Sequence, residues 1–156
     1  MELLKKILTN CLLGFALISI GFALGKHSVK SGAQSNGLPH SGGHVVAVYY
    51  MHSTFRCVTC NTIEKMTREL LDSSYSEQLA DSRILWFEVD FQENEALARQ
   101  FEVVASCVVV AEMKDGAILE YKRLDDVWTQ MKDPAAFNRY VGDTIDRYLQ
   151  KIRGQL

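Results

Sequence analysis

Two cysteines two residues apart, Cys57-Val58-Thr59-Cys60, stand between segments of different hydrophobic period. Before them, residues 45–51 read Val-Val-Ala-Val-Tyr-Tyr-Met, a continuous apolar run rich in β-branched and aromatic side chains. That is the pattern of a strand buried on both faces. After them, Ile63, Met66, Leu70 and Leu71 recur at helical spacing, which predicts an amphipathic helix over about 57–74. A buried strand feeding into such a helix commits the chain to a layered α/β arrangement, because both faces of the strand need cover. It also puts the dithiol at a helix start, where unpaired backbone N–H groups and the helix dipole favour an anion.

The remainder of 44–156 extends the pattern. Residues 84–90 form a second apolar strand, and 93–101 a short helix with Ala96, Leu97 and Phe101 facing inward. A third strand covers 107–113, Lys114-Asp115-Gly116 makes a tight hairpin turn, and 117–122 returns as a fourth strand. The last helix opens with Asp133 as N-cap and Pro134 at its first position, and carries Phe137, Val141, Ile145, Leu149 and Ile152 on one face. The order is β-α-β-α-β-β-α, with no internal repeat. Helical connections between the first three strands favour parallel or crossover pairing, and the Asp-Gly turn imposes an antiparallel last pair. The fold class is therefore α/β, a mixed four-stranded sheet flanked by helices.

Two further pieces precede this domain. Lys5 and Lys6 are followed by residues 7–25, nineteen positions without a charge, enough for a helix that just spans a bilayer core. We read 1–25 as a signal anchor. A cleaved signal peptide, with small residues at Ala23 and Gly25, is the alternative, and a lipoprotein signal a weaker one because Cys11 comes before most of the apolar run. Cys11 is then an inert membrane residue. Lysines flank both ends of the segment, so charge counting does not orient it. The short N-terminus before it favours a single pass with 44–156 on the periplasmic or extracytoplasmic side. Residues 26–43 are rich in Gly and Ser with little apolar surface, a flexible linker spanning about 25 Å. Its histidines, His27 and His40, and the adjoining His44 are read as incidental.

Composition closes off other classes. The chain has 156 residues, room for one ordinary domain, with 47% hydrophobic and 23% charged residues, the balance of a folded chain. Seventeen Lys and Arg against 19 Asp and Glu give a net charge of −2, which argues against a nucleic-acid partner. Four cysteines are too few for a disulfide-stapled scaffold but enough for a dithiol or metal site. No dinucleotide-binding, phosphate-loop or zinc-protease motif is present.

The chemistry is assigned to the dithiol. The helix start lowers the pKa of Cys57, making it the attacking, solvent-facing thiol, and Cys60, one turn on, closes a disulfide as the buried resolving thiol. Arg56 adds a positive charge that lowers the pKa of Cys57 further. A structural zinc half-site and two unreactive core cysteines stand as the other readings of this pair. Trp86 and Trp128 are assigned to packing, and Glu88 and Asp90 to the end of the second strand.

Taken together, 45–60, 84–90, 101–116 and the C-terminal helix resemble the thioredoxin superfamily across almost all of 44–156. Asp90-Phe91-Gln92-Glu93-Asn94 resembles the turn after the middle strand of those proteins, and Lys114-Asp115-Gly116 their hairpin turn. More narrowly, the run from Tyr49 to Cys60 resembles a membrane-tethered bacterial thioredoxin-like family often labelled a nitrophenyl-compound nitroreductase subunit, although no stretch resembles a flavin site. The resemblance implies thiol–disulfide exchange with a protein partner through a redox-active Cys57–Cys60 disulfide and no cofactor. Two departures from the superfamily are visible. Thioredoxins place a cis-proline opposite the CxxC; counting back from Gly116 puts that position at about Cys107 or Val108, within Ala105-Ser106-Cys107-Val108, where there is no proline. They also bury an acid on the strand leading to the dithiol, and 45–51 has none, leaving His52 or water to move the proton of Cys60. His52 also reads as a ligand or as a simple polar loop residue. Cys107 has three readings: a small buried strand residue, a third redox thiol, or one member of a soft-metal site for Cu or Zn with Cys57, Cys60 and His52. The functional alternatives are thus an exchange enzyme, a metal-binding or delivery module, and a non-catalytic subunit that uses the fold alone.

Overall fold

The computed structural model describes residues 43–154. The predicted anchor over 1–25 and the linker up to residue 42 lie outside the described residues. Among the described residues no helix is long and apolar enough to cross a membrane.

Four strands and five helices follow in the order β1 (His44–His52), α1 (Val58–Ser74), α2 (Ser76–Ala80), β2 (Ile84–Asp90), α3 (Glu95–Gln100), β3 (Cys107–Lys114), β4 (Ala117–Leu124), α4 (Val127–Gln130) and α5 (Pro134–Arg153). The expected α/β class and mixed four-stranded sheet are found. The strands lie side by side as β2-β1-β3-β4, so β1 and β3 occupy the interior. Their sequences show it: from Val45 to Met51 and from Cys107 to Met113 every residue is buried, whereas β2 and β4, at the edges, are mostly half-exposed. β1 pairs with β2 in parallel and with β3 antiparallel, and β3 with β4 antiparallel. The helical connections favoured parallel or crossover pairing among the first three strands; β1 and β2 are parallel, and β1 and β3 are antiparallel. The link from β2 to β3 carries only a six-residue helix and stays at the end of the sheet where β2 finishes, so β3 runs back antiparallel to both.

Strand alternation sorts the core into two layers. Val46, Val48, Tyr50, Val108 and Val110 point to the face covered by α1 and α5, where Ile63, Leu70 and Leu71 meet Phe137, Val141 and Ile145. Tyr49, Met51, Cys107 and Val109 have the opposite parity. On their side Tyr49 stacks on Phe87 at 4.8 Å, and Phe101 lies 5.1 Å from Tyr49 and 5.0 Å from Tyr121.

The helix ends follow the sequence closely. Asp133 caps α5, its Oδ1 accepting from the N–H groups of Ala135 at 2.9 Å and Ala136 at 3.2 Å. Helix α3 starts two residues later than expected, at Glu95 behind the Asn94 cap, and Ala96 is exposed rather than inward. The connection 115–116 turns with φ of +51° at Asp115 and +82° at Gly116, the left-handed pair that a two-residue hairpin needs.

Candidate functional site

The dithiol lies where β1 ends and α1 begins. The intervening loop, residues 53–57, is tied down at several points. Ser53 Oγ donates to the Phe55 carbonyl at 2.7 Å, and the Thr54 N–H donates to Gln92 Oε1 at 3.0 Å. The Phe91 N–H donates to the His52 carbonyl at 2.9 Å. From β1, the Tyr50 hydroxyl donates to the Cys60 carbonyl at 2.7 Å and so pins the first helical turn to the sheet.

Cys57 is itself the N-cap of α1. Its φ of −82° and ψ of 167° leave it outside the helix, and its sulfur accepts the Cys60 N–H at 3.2 Å. The sulfur thus occupies the place of a capping oxygen, at the positive end of the helix. The two sulfurs are 2.7 Å apart. Hydrogen bonds from Cys60, first its side chain and then its N–H, hold the Cys57 thiol below its ordinary range, and the N–H groups of Thr59 and Cys57 add to this. Helical period explains the asymmetry of the pair: Cys60, Ile63, Thr67 and Leu70 form one buried stripe, while Cys57 stays part-exposed ahead of it.

The structure redistributes the other expected residues. Arg56 has a carboxylate partner. Its guanidinium pairs with Glu64 and lies 5.7 Å from the centre of the Tyr50 ring. His52 shares a face with Tyr50, their ring centres 5.7 Å apart, and its Nδ1 lies 3.1 Å from the Ser53 carbonyl. Asp90 ends β2 opposite His52 and accepts the Gln92 N–H at 2.9 Å, the role of an element terminus.

Cys107 pairs with Met51 in the β1–β3 register, so its side chain leaves the sheet on the face away from Tyr50 and α1. Burial there pushes its thiol up to about 12. The three-thiol metal set is therefore not assembled: Cys107 is directed away from the dithiol, and among the described residues no group of three His, Cys, Asp or Glu side chains is placed to hold a metal ion.

The residue that does face the dithiol is Ser106, one position earlier. Its Oγ lies 3.8 Å from the Cys60 sulfur. No peptide among the described residues is cis. The position opposite the CxxC thus falls at Ser106 rather than at Cys107 or Val108, and a one-residue change of parity is enough to exchange a hydroxyl for a thiol at the site. Trp128, assigned to packing from sequence, donates its Nε1–H to the Ser106 carbonyl at 2.7 Å. The roles of Ser106, Trp128, Tyr50 and Glu64 at the site all escaped the sequence reading. Alternation alone could have found Ser106, since it shares parity with the helix-facing Val108 and Val110.

A dithiol at the carboxyl end of a central strand, capping the next helix, now sits in a sheet ordered β2-β1-β3-β4 with only β2 parallel to β1. The fold is thioredoxin-like. Solved structures similar to the chain include Fasciola hepatica thioredoxin, at 19% identity and TM-score 0.43 over 67% of this chain and 81% of that one. Trxlp from Edwardsiella tarda EIB202 is 18% identical with TM-score 0.42 over 65% and 84%. Thioredoxin from Trypanosoma brucei brucei is 15% identical with TM-score 0.42 over 67% and 79%. No family model and no curated protein matches the chain.

Proposed function

We propose that this chain is a membrane-tethered thiol–disulfide oxidoreductase that exchanges a disulfide with a protein partner through Cys57. The observation that carries the reading is the Cys57 sulfur in the N-cap position, accepting the Cys60 N–H and lying 2.7 Å from the Cys60 sulfur. An anion held there attacks a partner disulfide; the buried Cys60 then displaces the partner and leaves a Cys57–Cys60 disulfide. A protein partner fits the surroundings, because Phe55 and Val58, on either side of Cys57, are 82% and 84% exposed. Two large apolar side chains left in water beside a reactive atom suit a contact that covers them. Tethering rests on the uncharged run 7–25, long enough to span a bilayer core, and we place 44–156 on the extracytoplasmic side of that membrane.

The test uses the full-length chain. Reduced protein is expected to precipitate insulin by reducing its disulfides, Cys57→Ser to abolish this, and Cys60→Ser to trap a mixed disulfide. Wild-type protein without exchange in either direction would overturn the reading. For the placing, a membrane-impermeant maleimide should label Cys57 in intact cells, with the chain recovered in the membrane fraction; labelling only after lysis would overturn it.

A further inference from the structure

Exchange through this site leaves one step without an assigned helper, the deprotonation of Cys60. Most polar side chains around the dithiol have a partner elsewhere. The Tyr50 hydroxyl donates to the Cys60 carbonyl, the Glu64 carboxylate holds Arg56, and the His52 ring is turned to the Ser53 carbonyl. From β1, the remaining side chains on that face are Val46 and Val48. Ser106 is the residue whose hydroxyl reaches the Cys60 sulfur. It is 5% exposed, its Oγ lies 3.8 Å from the Cys60 sulfur, and it has no other side-chain hydrogen bond among the described residues. Its backbone is fixed from a separate element, by the Trp128 Nε1–H bonded to its carbonyl at 2.7 Å.

On the exchange reading, we propose that Ser106 is a catalytic residue of the resolving step, donating a hydrogen bond to the Cys60 sulfur as it becomes a thiolate, and that Trp128 is the positioning residue that aims it. In that step the Cys60 thiol gives its proton to water, and its sulfur attacks the Cys57 sulfur of the mixed disulfide. The Cys57–Cys60 bond forms as the bond from Cys57 to the partner sulfur breaks. The electron pair leaves on the partner sulfur, which takes up a proton from water, so the partner disulfide is reduced and the dithiol oxidised. Ser106 exchanges no proton. Its contribution grows with the charge on sulfur, because hydrogen bonds to ionised groups are shorter and stronger than neutral ones. An apo distance at the long end of the range is what a neutral thiol gives.

The experiment mixes the reduced full-length chain with a nitrobenzoate disulfide, whose thiolate product is coloured, in a stopped-flow cell across a range of pH. The phase lost in Cys57→Ser is attack, and the phase lost in Cys60→Ser is resolution. Ser106→Thr and Ser106→Val have nearly the same shape and differ in the hydroxyl, so any strain from the added methyl is common to both. Ser106→Val is expected to slow resolution about tenfold and raise its pH midpoint by about one unit, with attack unchanged, and Ser106→Thr to restore both. Trp128→Phe, which keeps the ring and loses the N–H, is expected to slow resolution alone. Equal resolution rates and midpoints in the threonine and valine variants would overturn the role of Ser106, and unaltered resolution in Trp128→Phe that of Trp128. If the wild type shows no phase that depends on Cys57, the exchange reading fails and this proposal with it.

Discussion

At the scale of single residues, the site is a study in which groups reach a sulfur. Arg56 is adjacent to Cys57 in sequence, yet its charge is paired with Glu64, and the groups that lower the Cys57 pKa are Cys60 and the backbone N–H groups of the helix start. The thiolate is the alkylated species, so the alkylation rate of Cys57 rises with pH and levels off above its pKa. With the pKa lowered, that midpoint is expected below the value of about 8.5 of a free cysteine. Arg56→Ala should leave it in place, measured by iodoacetamide labelling of the reduced full-length chain and mass mapping of residue 57. A midpoint that climbs in Arg56→Ala would show the guanidinium acting on the sulfur after all. In the same experiment Cys107, buried and with its pKa pushed up to about 12, should stay unlabelled while the protein is folded.

At the scale of elements, the stop and start signals carried most of the fold. Asp133-Pro134 marked the first residue of α5, and its five apolar positions at steps of four, four, four and three are all buried. Asp133→Ala removes the acceptor of two N–H groups and is expected to cost about 1 kcal/mol. Ile145→Ala, in the fully buried middle of the same helix, should cost about 3 kcal/mol. Gly116→Ala should cost about 1 kcal/mol with no packing clash, because a side chain there meets open space but the +82° φ suits only glycine. Urea denaturation of each variant checks the order, and an Ile145→Ala loss no larger than that of Asp133→Ala would contradict the packing described. Strand direction was less legible. Nothing in residues 91–106 states that the chain stays at the same end of the sheet and starts β3 there, running back antiparallel; that follows from which faces of β1 and β3 must be buried together, a long-range condition. The same limit hid the site's second half. Period placed Cys57 and Cys60 correctly at the start of α1, but the partner supplied just ahead of β3 depended on a parity that a one-residue miscount reverses, so Cys107 drew the attention that belongs to Ser106. The four-residue helix α4 was too short to show a period, and with it went the role of Trp128.

At the scale of the whole domain, the sheet has two chemically distinct ends. The dithiol occupies one. At the other, where β1 begins, the Glu112 carboxylate of β3 is 1% exposed and sits between His44 and Lys151, with Oε1 2.7 Å from His44 Nε2 and Oε2 2.6 Å from Lys151 Nζ. Lys151 also reaches Glu120 on β4 at 2.5 Å. This cluster joins the first residue of β1, the middle of the sheet and the last turn of α5, so it ties the two termini of the domain together. Burial alone would raise the Glu112 pKa, but the ion pair with Lys151 and the hydrogen bond with His44 outweigh it and hold the carboxyl below the usual carboxylate range. A carboxyl that is more acidic folded than unfolded stabilises the fold at pH above its unfolded pKa of about 4.3, and that contribution disappears as pH falls through the folded value. The folded domain should therefore lose stability below about pH 4 more steeply than its exposed carboxylates explain. Glu112→Gln is expected to lower stability at neutral pH by about 2 kcal/mol, since it removes a charged acceptor from Lys151, which keeps Glu120, and from His44, and to flatten the acid limb. Urea midpoints of the full-length wild type and Glu112→Gln at neutral pH and at a series of pH values below 5 test both parts; parallel acid limbs in the two proteins would remove Glu112 as their cause, whatever the neutral-pH loss.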